Sequence, residues 1–416
     1  MAKVVIIGAG IGGLLAGAAL SREYKVLIFE KLPFAGGRFT NLEYRGFKLS
    51  TGALHMIPHG DRGPFAKLLK KAGANVEIVR SSPFATVRLN SGDEIKFEDF
   101  TKVLNLSDRL RILYLNLKAK YVEPKGSFKD WFHSAVSDEW LARFANAFCG
   151  FALSLNSEEA PASEVLEIIR NLRRYGGPGV AIGGCGAVTN SLIEVIKSNS
   201  GELYLKRKVE QIKVQNLTVK GVISGGEFQE ADFIISNLGQ AATAKLLSKC
   251  DDREYLKKIS KQEPSAGIKI CISSNESLIG HSGVLFTPSA SRINGIIELT
   301  NADPSLAPSN KHLLMSHQAL SLKGIEDKDI KSHLEREIML GLNDLKEIFK
   351  PRKFEVLLIQ SYYGNWPVNR AASGQDIGSE TPYSNLYVVG DGAKGRGGME
   401  VEGIALGVEG VLNKLS

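Results

Sequence analysis

Cysteine is scarce in this chain. Its four cysteines, Cys149, Cys185, Cys250 and Cys271, lie far apart and form no C-x-x-C pair. That spacing excludes a dithiol redox motif and a cysteine zinc site, and no metal centre is expected. Reduced thiols and a cytoplasmic location are expected instead. One-sided charge is also lacking: 52 basic against 45 acidic residues leave +7 over 416 residues, too mild a bias for a nucleic-acid partner. Beyond residue 20 no apolar run approaches the roughly eighteen residues a membrane helix needs, so contact with a membrane is expected to be peripheral at most. A chain of this length exceeds one ordinary core and predicts two or three domains.

What is present is glycine in patterned places. The stretch "VVIIGAGIGGLLAGAAL", residues 4–20, carries no charge and follows Lys3, much as a signal peptide would. Its five glycines argue otherwise, since each weakens a helix by roughly 1 kcal/mol relative to alanine. Placed after a strand at residues 4–7, Gly8, Gly10 and Gly13 spell G-x-G-x-x-G. That pattern permits a tight turn and a close backbone approach, and with Gly12 and the N–H of Ile11 it can cradle a pyrophosphate. A helix at about 11–21 and the strand "KVLIFE", ending in Glu30, complete a unit for an ADP moiety, Glu30 being placed for a ribose hydroxyl.

Directly afterwards, "KLPFAGGRFTNLEYRGFKLSTGALH" brings the doublet Gly36, Gly37 and then Arg38, whose guanidinium can pair with phosphate oxygens. Fingerprint, Glu30 and "GGR" in this order resemble the FAD-dependent amine oxidase and phytoene desaturase superfamily. Two further blocks support the resemblance. The meander "GELYLKRKVEQIKVQNLTVKGVISGGEFQEADFIISNLG" is similar to the family's middle block, which implies adenine contact at Val209 and a return to the nucleotide at Asn237. "SNLYVVGDGAKGRGGMEVEGIALGVEGVL" is similar to its last block. There the resemblance implies that Gly390 and Asp391 meet the ribityl chain, and that Glu400 and Val401 present a helix N-terminus to the flavin ring.

The predicted fold is α/β: a discontinuous Rossmann-like FAD-binding domain (1–60, 178–250 and 376–416) with an α+β substrate domain (61–177 and 251–375). In the latter, a hairpin about 90–93, helices at 107–121, 127–148, 161–175 and 327–349, and four strands between 267 and 364 predict a mixed sheet with a helical cap. No cysteine occurs in the last block, so non-covalent FAD is expected.

For chemistry, Lys269 resembles the lysine that reaches flavin N5 through a water in monoamine oxidases, the other reading being a solvated strand lysine. Trp366, in "YYGNWPVNRAASG", would face the ring or edge a core strand. His55 and His59 are expected as satisfied polar residues rather than bases. Ser50 stands where many members carry an acid, and no aromatic occupies 398–400 to form an amine cage. The resemblance therefore implies an oxidoreductase like the phytoene desaturases, taking hydride from a carbon of an apolar, isoprenoid-type substrate, with an electron acceptor that the motifs do not name. A flavin amine oxidase or porphyrinogen-type oxidase is the alternative within enzymes. A flavin-free binding protein like the GDP-dissociation inhibitors is the alternative outside them. Finally, Leu106, Leu110, Leu113 and Leu117 form a stripe at helical spacing, flanked by Arg109, Arg111, Lys118 and Lys120, which reads as core packing or as a face for lipid.

Overall fold

In the computed structural model, which describes residues 1–247, 250, 252–364 and 371–415, the opening strand β1 (Lys3–Ile7) is buried on both sides. Val4 and Ile6 join a core with helices, whereas Val5 and Ile7 face the opposite core with Val209, Ile212 and Val222. A strand covered on both faces reads as a continuous apolar run, which is why "VVII" shows no alternation. Helix α1 (Ile11–Leu20) follows, and β2 (Lys25–Phe29) returns parallel to β1.

Five parallel strands then line up in the order Glu202–Tyr204, β2, β1, Phe233–Ser236 and Leu386–Val388. Early, middle and late segments of the chain thus share one sheet, and their carboxyl ends form one edge. Helices Pro64–Ala72, Gly184–Ser198 and Glu400–Leu415 pack with α1 on one face. The antiparallel meander of Val209–Gln215, Thr218–Ser224 and Glu227–Glu230 covers the other.

A second sheet has seven strands in the order Glu355–Tyr362, Gly267–Ser274, His312–Ala319, Gly295–Glu298, Val284–Phe286, Ala85–Arg88 and Glu94–Lys96. All neighbours are antiparallel except Val284–Phe286 beside Ala85–Arg88. Ile268, Ile270 and Ile272 face the long helix Ile330–Phe349, while Cys271, Leu313 and Met315 face the helices Glu139–Leu153 and Ala162–Tyr175. Mixed sheets with flanking helices give the α/β architecture that the sequence predicts.

Two local expectations are corrected. The helix predicted over 127–148 is two, Phe128–His133 and Glu139–Leu153, because Ser127 accepts from the N–H of Asp130 and Asp138 from that of Leu141. A second N-cap inside an apolar period restarts the helix. The leucine stripe of the helix Leu106–Tyr121 does not pack in a core: Leu106, Leu110, Leu113 and Leu117 are 72, 58, 54 and 45 % exposed. Leu115 and Ala119, on another side, are the buried apolar residues of that helix. Among the described residues no helix is long and apolar enough to cross a membrane.

Candidate functional site

At the carboxyl edge of the parallel sheet, Gly10 opens α1 without a side-chain cap, so the leading N–H groups of the helix have no side-chain acceptor. An uncapped N-terminus with its dipole attracts an anion. The glycines here are enforced by neighbours. A Cβ on Gly10 would strike the Asn237 amide, and one on Gly12 would lie 2.7 Å from Asn237 Oδ1 and 2.9 Å from Gly390 Cα. Asn237 is fixed by its own N–H, which donates to the Ile7 carbonyl at 2.8 Å. Gly36 donates to the Ala9 carbonyl at 2.7 Å and forms a bridge with Gly10. All three sequence blocks therefore meet at a cradle of bare backbone, and a dinucleotide pyrophosphate fits such a donor set.

Charge at this edge is paired across the blocks. Arg38 Nη2 donates to Asp391 Oδ2 at 2.7 Å. The buried Lys394 Nζ lies 2.9 Å from Asp391 Oδ1 and 3.3 Å from Asp376 Oδ1. Burial alone would raise the Asp391 carboxyl, yet Lys394 and Arg38 hold it well below the usual carboxylate range. The Glu30 carboxylate accepts from the N–H groups of Ala9 and Leu32, both at 2.8 Å, and its backbone carbonyl accepts from the backbone N–H of Arg207 at 2.8 Å. Val209, buried at the head of its strand, follows two residues later. Sequence reading missed Lys394 and Asp376; the available signal was a lysine one helical turn after Asp391 in "GDGAK".

Glu400 and Val401 begin the last helix, Val401 buried and Glu400 at φ +44°, a left-handed conformation. Burial, and then Asp391, push the Glu400 carboxyl up to about 7 against the pull of Arg38. Glu402 is fully buried and accepts from the N–H groups of Phe65 at 2.8 Å and His59 at 3.1 Å, a role the sequence did not reveal.

On the second sheet, Lys269 is 1 % exposed, which overturns the solvated reading. Its ammonium donates to Ser50 Oγ at 2.7 Å, to the Ser50 carbonyl at 3.0 Å and to the Ala53 carbonyl at 3.3 Å. Burial lowers its pKa. The same loop is tied to the glycine doublet, Thr51 Oγ1 donating to the Gly37 carbonyl at 2.8 Å and the Ala53 N–H to the Arg38 carbonyl at 3.1 Å. Trp366 lies outside the described residues. His55 has both nitrogens engaged, by the Cys185 N–H at 3.0 Å and the Lys48 carbonyl at 2.9 Å, and burial lowers it to about 4. His59 meets the Gly176 carbonyl through Nδ1 at 3.0 Å, but its buried Nε2 has no partner among the described residues. The expectation of a fully satisfied side chain is corrected there.

Residues 11–403 match the family described as flavin containing amine oxidoreductase. The chain belongs to that family. An uncharacterized relative from Methanocaldococcus jannaschii is 45% identical over 100% of this chain and 99% of its own length. The crystal structure of an oxidoreductase from Methanosarcina mazei superposes with a TM-score of 0.94 at 49% identity, covering 99% of this chain and 100% of that one. At greater distance, the chloroplastic prolycopene isomerase of Daucus carota is 24% identical over 93% of this chain and 76% of its own. Membership in the amine oxidase and phytoene desaturase superfamily of flavin-dependent oxidoreductases thus stands on the whole chain as well as on its motifs.

Proposed function

We propose that this flavin oxidoreductase binds FAD non-covalently along the sheet edge and takes hydride from a carbon of an apolar, isoprenoid-type substrate, as a phytoene-desaturase-like enzyme. The observation that carries the reading is the meeting of three distant chain segments around an uncapped helix and a glycine cradle, with Arg38 and Asp391 beside it. Gly8, Gly10, Ile11, Gly12 and Gly13 would hold the pyrophosphate. Glu30 and Val209 would meet the adenosine end, Gly36, Gly37 and Arg38 the phosphates, Asn237 the nucleotide's approach, and Gly390 and Asp391 the ribityl chain. Glu400 and Val401 would lie against the ring. FAD, when bound, supplies the electron-accepting ring; the protein orients it and excludes water. The buried Lys269, from the second sheet, and Ser50, to which it donates, would close the ring end.

We assign 1–60, 178–250 and 376–416 to the cofactor domain and 61–177 with 251–375 to the substrate domain. An apolar substrate is supported by the kinship with a prolycopene isomerase. The absence of an aromatic at 398–400 argues against an amine cage. We take the enzyme to be cytoplasmic with peripheral membrane contact; the contact is supported by the exposed leucines of Leu106–Tyr121 among basic residues.

The purified protein is expected to be yellow, with a flavin absorption band, and to release intact FAD on heating. A colourless protein that cannot be reconstituted with FAD overturns the reading.

A further inference from the structure

The face of the seven-stranded sheet that bears Lys269 also carries Cys271, Leu313 and Met315. Across that face runs one polar row. Gln360, Lys269 and His317 stand directly opposite one another on three adjacent strands, so their side chains share a side. Tyr362 extends the row: its hydroxyl meets His317 Nε2 and lies 2.7 Å from Ser154 Oγ, where the helix Glu139–Leu153 ends. The positions opposite Tyr362 and beside His317 are Gly267 and Gly295. A Cβ on Gly267 would strike the Tyr362 hydroxyl and come within 2.8 Å of His317 Nε2.

The row is aimed at the cofactor side. Lys269 is anchored on Ser50 and Ala53, and Gln360 Nε2 donates to the Thr51 carbonyl at 3.3 Å. That loop holds the backbone of Gly37 and Arg38. With its amide nitrogen so engaged, Gln360 presents Oε1, a buried acceptor that has no partner among the described residues. An apolar wall that existed only to hold a hydrocarbon would gain nothing from buried polar atoms, because each loses its hydration. An unfilled buried acceptor in this row matches a ligand group that donates a hydrogen bond, as a hydroxyl does.

We propose that the row Gln360, Lys269, His317 and Tyr362 forms the polar end of the substrate site, and that the substrate is an isoprenoid alcohol rather than a hydrocarbon. The inference rests on the isoprenoid reading above and adds the oxygen function. Gln360 Oε1 accepts from the substrate hydroxyl, and Tyr362, fixed by His317 and Ser154, borders it. Burial lowers His317 to about 4, so this end is neutral on the histidine side at physiological pH. A site built to bond a hydroxyl discriminates against the analogue that lacks it.

The probes are geranylgeraniol and the C20 hydrocarbon of the same skeleton without the hydroxyl, titrated into the FAD-loaded protein in one detergent and followed by the flavin difference spectrum. About tenfold tighter binding of the alcohol is expected. In Tyr362→Phe and Gln360→Leu, each reloaded with FAD to the parent's flavin absorbance, the preference should shrink to about twofold or less. Equal affinities in the parent protein, or a preference that survives in both variants, overturn the inference while leaving the flavin reading intact. Flavin absorbance recorded before any ligand is added reports separately on that reading. A yellow protein that binds neither probe defeats the isoprenoid reading and the inference together.

Discussion

Glu402 shows how burial sets the protonation of a single residue. Its carboxyl is enclosed, and burial pushes it up to about 7 although two backbone N–H groups favour the ionised form. A carboxyl raised in the folded state binds its proton more tightly there than in the unfolded chain. Its contribution to stability is therefore complete below about pH 4.5 and lost as pH rises through 7. The difference amounts to roughly 3 kcal/mol at most. Glu402→Gln should be less dependent on pH between 5 and 8 than the parent, which thermal unfolding at both values checks; identical pH profiles would refute it. Nothing in "MEVEGIALG" separates this buried glutamate from Glu400 two residues earlier, because enclosure by the loop at 59–65 is a property of the fold. Lys269 is similar: its place on a strand was legible, but its burial depended on Ser50 arriving from 219 residues away.

At the scale of an element, helix period was legible and the partner of each face was not. The four leucines of the helix Leu106–Tyr121 share spacing with any core helix, yet they are exposed, together with Tyr114, Tyr121 and Val122 nearby. In the membrane contact proposed above, the basic residues around them would face an anionic bilayer surface. Leu110→Glu with Leu113→Glu is expected to lower co-flotation with phosphatidylglycerol vesicles at least tenfold, since two leucines taken up by the bilayer would contribute roughly 3–6 kcal/mol. Folding stability should stay within about 0.5 kcal/mol, as for other exposed sites. Equal flotation of parent and variant would remove the membrane face. In the helix pair at 128–153 the break lay in two polar caps, a local signal that a count of apolar positions passes over. Asp138→Ala should cost about 1 kcal/mol in thermal unfolding, by loss of the bond to the Leu141 N–H.

For the whole molecule, the decisive contacts join residues far apart in the chain. Arg38 and Asp391 are separated by 353 positions and form one ion pair. Removing either partner breaks the ion pair, and removing Asp391 also takes one carboxylate from Lys394, so Arg38→Ala and Asp391→Ala should each destabilise the protein, the latter more. The double variant should cost little more than one single, with a coupling on the order of 1–2 kcal/mol. Additive losses in thermal unfolding would show that the pair does not act as a unit. Both singles are also expected to lose flavin on gel filtration.

The α/β class, the glycine cradle and the three blocks that build it were determined by the sequence, because backbone approach restricts residue type to glycine and strand and helix periods are local. Only the tertiary structure decided which polar groups are shut away from water and whom they meet. The Lys269–Ser50 contact, the Arg38–Asp391–Lys394 cluster, the enclosed Glu402 and the Tyr362–His317 row arise when distant segments fold onto one another. Burial and pairing depend on that assembly, and no stretch of neighbouring residues encodes them.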